Sequence, residues 1–179
     1  MVKRILLIAL TAFMCIQANA QMVAVKTDLL RDAVMIPNVG VELVVGERHT
    51  VGLQFFGAVN TWGKEVGMIG MTPSFRYWLS GRTMSRLFVG ANAKVVNYDV
   101  KWSNKVYQGN AAALGLSLGY AFNLSERLNL EVEGGTEIMS YSQKEYSMGD
   151  SYSLYGEKAS AHGTMLFPRI GFSLVYVIR

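Results

Sequence analysis

Glu131, Glu133 and Glu137 are the residues best spaced for acid–base chemistry, because they recur at even intervals in one segment. On a strand, side chains two apart share a face and stand about 6.6 Å apart along it. That is close to the carboxylate spacing of glycosidases. The same pattern suits anions that pair with Arg76, Lys94 and Arg169 inside a narrow barrel. A filled small barrel offers no sugar cleft, so pairing is the preferred reading.

Other motifs carry less. His49 and His162 are the only histidines. One follows a short turn and the other lies in the last long connection, so opposite ends of the molecule keep them from sharing a metal. Ser160 and His162 hint at the Ser–His pair of a lipid hydrolase, but nothing specifies a third group or an oxyanion hole. Gly115-Leu-Ser-Leu-Gly119 matches G-x-x-x-G, which brings two glycines to one face only on a helix. No glycine-rich phosphate loop or paired metal motif occurs. Catalytic residues, cofactors and metals are all expected to be absent, and an enzyme is not the expected class.

What would position the three glutamates is a set of strands. From Ala111 to Phe122 the even positions read Ala, Leu, Leu, Leu, Tyr, Phe, and the odd ones Ala, Ala, Gly, Ser, Gly, Ala. A strict period of two is a strand signal. Eight strands are predicted. The first begins near Met22 and ends before Pro37, and Asp28 to Asp32 break its alternation. The others are Val39–Val45, His49 to about Asn60, Met68–Leu79, Arg86–Tyr98, Ala111–Phe122, Arg127–Tyr141 and Thr164–Ile178. Connections after the second, fourth and sixth strands are short, and those after the third, fifth and seventh are longer. Outer-membrane barrels alternate in this way.

Sorted by parity, one face is oily in every strand. The other holds Lys26, Glu42, Arg76, Lys94, Glu131, Glu133, Glu137 and Arg169, four cations against four anions. A water-soluble lipocalin-like barrel would turn the oily face inward. A membrane barrel turns it outward. The balance of charge favours the second, because an unpaired buried ion costs several kcal/mol. The small side chains of the sixth strand leave room for long ones from the fifth and seventh, and Gly115→Ser is expected to be tolerated. Tyr77, Tyr120, Phe122 and Tyr176 fall at the lower ends of strands on the oily face, as half of an aromatic girdle. Trp62, Tyr98, Trp102 and Tyr141 fall near the upper ends, although Tyr98 has the inward parity.

The amino terminus supplies a location. Lys3 and Arg4 precede an apolar run from Ile5 to Ile16, then Ala18-Asn19-Ala20. That is the layout of a secretory signal cleaved after Ala20, leaving 21–179 as a single barrel domain. Cys15, the only cysteine, would leave with it, which excludes disulfides and thiolate catalysis from the mature chain. Removal of Lys3 and Arg4 takes the formal charge from +4 to +2, too little to imply nucleic acid. The last connection, 142–163, carries Tyr146, Tyr152 and Tyr155 among serines. Tyrosine gives large contacts at low entropic cost, so these are candidate loop contacts.

The segments Val25–Leu30, Pro37–Glu42, Phe75–Leu79, Leu128–Gly135 and Leu174–Arg179 resemble a domain-of-unknown-function family of small Bacteroidota outer-membrane proteins. That family usually has Asn where this chain has Asp28. The resemblance implies an outer-membrane barrel and brings no catalytic residues. Together these readings predict an all-β, eight-stranded antiparallel up-and-down transmembrane β-barrel with a side-chain-filled lumen. Its expected partners are outer-membrane lipid, the barrel assembly machinery and an extracellular protein or glycan at the loops. A lipid-modifying enzyme and a soluble lipocalin-like carrier are the alternatives.

Overall fold

A computed structural model describes residues 22–60, 65–102, 105–147 and 160–178. The proposed signal, with Ala18 and Ala20, lies outside the described residues, as do Trp62, Tyr152 and Tyr155. Eight strands run β1 (Val23–Asp28), β2 (Asn38–Val44), β3 (His49–Val59), β4 (Val66–Trp78), β5 (Arg86–Trp102), β6 (Lys105–Asn123), β7 (Leu128–Ser147) and β8 (Ser160–Ile178). Each pairs antiparallel with the next, and β1 pairs with β8 to close the ring. Closure leaves no edge strand with unpaired backbone groups.

Three features refine or depart from the sequence reading. β1 stops at Asp28, where a helical turn, α1 (Leu29–Ala33), begins. Asp28 is its N-cap and accepts a hydrogen bond from the Leu30 amide at 3.1 Å. This accounts for the broken alternation from Asp28 to Asp32. Asn38, at the start of β2, ties the connection together. Its Oδ1 accepts from the Asp28 amide at 2.7 Å and its Nδ2 donates to the Asp28 carbonyl at 3.0 Å.

The second difference is at the other wall. β5 and β6 pair from Trp102↔Lys105 downward, so two residues and not a long loop join them. β7 likewise continues to Ser147 and β8 starts at Ser160. Tyr146 is therefore a strand residue paired with Val106, not a loop residue. The polar outward residues Asp99, Gln108, Asn110 and Ser142 read as loop in the sequence, yet backbone pairing continues through them. The ring thus has a low wall at β1–β2 and a tall one at β5–β8.

The third concerns the small face of β6. A Cβ on Gly119 would come within 2.3 Å of the Phe88 ring, and one on Gly115 within 2.8 Å of Glu137 Cβ and 2.9 Å of the Thr136 carbonyl oxygen. Gly171 on β8 stands in the same relation to Glu133, at 2.7 Å. Neighbouring long side chains lie across these glycines. The room is already taken, so the expectation that Gly115→Ser is tolerated is corrected.

Candidate functional site

All eight ionisable residues that parity assigns to one face point into the ring and join in one network. Lys26 Nζ donates to Glu42 Oε2 at 3.3 Å. Arg76 Nη1 donates to the same oxygen at 2.9 Å and to Glu131 Oε2 at 2.7 Å, while its Nη2 donates to Glu133 Oε2 at 3.1 Å. Arg169 Nη2 donates to Glu133 Oε1 at 2.5 Å, and its Nη1 stands 3.8 Å from Glu137 Oε2. Lys94 Nζ donates to Glu137 and completes the chain. Glu42 and Glu131 are each 1% exposed and Arg76 is 4%. Arg76 is the hub: three carboxylates from two strands converge on one guanidinium, whose planar fork suits carboxylate geometry. The glutamates are bound to cations, which leaves them poorly suited to acid–base work.

Beneath this layer the ring is closed by apolar packing. Trp78 and Phe88 are fully buried with ring centroids 4.8 Å apart. Phe88 also carries the Arg76 guanidinium 4.4 Å above its ring. Trp78 Nε1 donates to Thr50 Oγ1 at 3.1 Å, and Thr50 in turn donates to Glu42 Oε1 at 2.5 Å. The β4–β5 turn folds Met84 inward with Ala24, Val44, Ala121, Val175 and Val177. Met84 and Arg86 have φ of 57° and 63°, a left-handed conformation that non-glycine residues rarely adopt. Asn129 and Asn123 hold the turn by donating to the Met84 carbonyl at 2.8 and 3.3 Å. Sequence reasoning missed this floor. Trp78 and Phe88 carry a usable signal, the parity of Arg76 and Asn92, but Met84 sits in a turn and carries none.

Above the charged layer the interior changes character. A cavity of about 850 Å³ opens between Phe56, Val96, Met139, Met165 and Phe167, with Arg31 and Lys94 also in its lining. Phe167 pairs with the inward Glu137 and Met165 with Met139, so both face the interior. They nevertheless remain 47% and 40% exposed. The expected side-chain-filled lumen is therefore filled in its lower and middle parts and open in its upper part. The tall wall extends past the point where β1 and β2 could supply opposing side chains. α1 packs against β8 and β1 and brings Arg31 over the Phe56 ring at 4.4 Å. Burial pushes the Arg31 guanidinium below its ordinary pKa; Asp28 opposes that shift and Arg169 adds to it.

Tyr77, Tyr120, Phe122 and Tyr176 lie on the outer face near the lower strand ends, with Tyr120 and Phe122 4.6 Å apart between ring centroids. His49 packs against Tyr77 there, with ring centroids 5.2 Å apart and ring planes tilted by 54°. His162, near the top of β8, pairs in register with Ser142. Tyr98 and Tyr141 have the inward parity and line the cavity, and Tyr98 donates to Gln143 Oε1 at 3.0 Å. They do not extend the outer aromatic row. Among the described residues, no group of three or more His, Cys, Asp or Glu could hold a metal ion.

Residues 5–178 match the family described as Protein of unknown function (DUF3575). The chain belongs to that family. No curated protein and no solved structure matches it. The DUF3575 match spans every strand of the ring, including the β1–β2 wall, the Arg76 hub and the tall β5–β8 wall.

Proposed function

We propose that the chain is an outer-membrane β-barrel, exported on its amino-terminal signal, whose closed body anchors a protruding rim. Its role is structural or one of surface interaction, and outer-membrane lipid is its first partner. The observation that carries this reading is the inversion of polarity. Leu114, Leu116 and Ile170 are each about 70% exposed on the outside of the ring, while Glu42 and Glu131 are buried within. A water-soluble monomer rarely exposes contiguous apolar patches beyond a few hundred Å². Among the described residues the oily rows run round every strand.

The height of the oily belt fits. On β6 the outward apolar row runs from Ala112 to Phe122. Ten residue steps at about 3.3 Å give about 33 Å, and a tilt of about 40° reduces that to about 25 Å. Barrels of the outer membrane carry an apolar band of about that height. Above it, outward Asp99, Gln108, Asn110, Ser142 and Lys144 turn the rim polar. The rim of the two tall hairpins, with residues 148–159, is the contact surface for an extracellular protein or glycan.

Cell fractionation with heat-modifiable gel migration tests the anchor. The chain should fractionate with the outer membrane and migrate faster unboiled than boiled. Recovery in the aqueous phase would favour a soluble carrier instead. Shortening 148–159 to a tight turn should leave insertion intact and remove surface adhesion. Undiminished adhesion would move the contact surface elsewhere.

A further inference from the structure

We infer that the upper cavity is a binding site for a single-chain amphiphile with a carboxylate head, a long-chain fatty acid in chemical class. Three observations meet there. The first is the wall. Phe56, Val96, Met139, Met165 and Phe167 face inward, yet among the described residues no side chain fills the space between them. Phe167 and Met165 keep nearly half their surface open to it. Methionine-rich apolar walls adapt to flexible chains, and about 850 Å³ lies in the range of small-molecule sites.

The second observation is the polar end. Arg31 and Lys94 both line the cavity. Arg31 Nη1 is buried without a hydrogen-bond partner, although its Nε lies 3.5 Å from Asp28 Oδ2. A buried donor left unpaired loses the hydrogen bonds it made to water and is destabilising. A ligand carboxylate at this point would satisfy it, and a guanidinium binds a carboxylate through matched planar geometry. Among the described residues Lys94 donates to Glu137, and an ammonium carries three N–H donors in all.

The third observation is the closed floor. The Arg76 network and the Trp78–Phe88 packing fill the ring below the cavity. A molecule entering from the tall end is held, not passed through. The cavity therefore reads as a cup, in which the chain of the ligand lies along the methionines and its head reaches Arg31. This needs only the closed ring, and is independent of whether the ring sits in a membrane.

Native mass spectrometry of the full-length mature chain tests it, from detergent or from buffer, with palmitic acid and hexadecanol as probes. A one-to-one palmitate adduct is expected, with hexadecanol at least tenfold weaker. Val96→Trp and Met139→Trp, which fill the cup, should each reduce palmitate binding at least tenfold. Arg31→Gln should weaken palmitate severalfold and leave hexadecanol unchanged. Far-UV circular dichroism checks that each variant retains its strands. Absence of the adduct would overturn the site, as would full binding by both filled variants. Equal loss of both probes in Arg31→Gln would overturn the assignment of the carboxylate. Fractionation plays no part in this measurement, so failure of the membrane reading and failure of the cup are separable.

Discussion

The lower and upper halves of the interior are built from the same strands and solve opposite problems. Below, Arg76 meets Glu42, Glu131 and Glu133, and Phe88 supports it from beneath. The long side chains there lie across glycines of neighbouring strands, and little space remains. Above, Val96, Met139, Met165 and Phe167 face one another across a gap. The ionic layer specifies one arrangement, because a misplaced partner leaves a buried charge unpaired. The apolar layer has no such demand and can stay open. A single closed ring can thus carry a rigid, self-neutralised half and an accommodating half, and the change falls where the low β1–β2 wall ends.

The largest blow to the lower half is loss of its hub. Arg76→Leu leaves Glu42, Glu131 and Glu133, among the described residues, with Lys26 and Arg169 as their cationic partners. Breaking a buried ion pair by removing one partner costs about 3–5 kcal/mol. Urea unfolding followed by gel migration should register that loss. A cost under about 1 kcal/mol would mean the network is wetter and weaker than its geometry implies. Next comes the outer face. Leu116→Arg, at the middle of the oily row, should cost about 2–4 kcal/mol and block membrane insertion. Its inward neighbour Ser117→Ala should insert normally. Equal behaviour of the two would undo the assignment of faces. Third, Gly115→Ser should destabilise by about 1–3 kcal/mol through overpacking against Glu137 and the Thr136 carbonyl. The same unfolding series reads it, and a neutral result would show that the packed half yields more than its contacts suggest.

The packed half was largely legible in the sequence, and the open half was not. A period of two assigns Lys26, Glu42, Arg76 and the glutamates to one face without any knowledge of pairing. Opposite signs in equal number then imply that they meet. Trp78 and Phe88 follow from the same parity, but as apolar residues on a charged face they contradict a simple polar–oily division. The cup depends on the relative heights of walls that are distant in the chain. It exists because β5–β8 run on past β1–β2, and polar outward residues such as Asp99 and Gln108 make those extensions read as loop. Nothing local in Met139 or Met165 says that the opposing side chain is missing. α1 was hidden for a related reason: five residues that break alternation mark an interruption, and only the Asp28 cap and the Asn38 ties show its form.

The smallest expected effect on stability falls at the junction of the two halves. Asp28 caps α1 through its Oδ1 and holds Arg31 through its Oδ2. Asparagine caps a helix about as well as aspartate. The ion pair is mostly buried but long, at 3.5 Å from Arg31 Nε to Asp28 Oδ2, so it lacks the strength of a close charge-assisted hydrogen bond. Asp28→Asn should therefore change stability by less than about 1 kcal/mol. It also removes the charge of the carboxylate paired with Arg31, leaving Glu137 and Glu133 as the other anions acting on that guanidinium, so palmitate should bind severalfold tighter in the same mass-spectrometric measurement. Asp28→Ala separates the two roles, because it removes the cap as well and should cost about 0.5–2 kcal/mol. If Asp28→Asn left palmitate binding unchanged, Arg31 would not be the group that meets the carboxylate. The two halves would then join at a hinge of structure alone, with no electrostatic link between the helical turn and the cavity above the network.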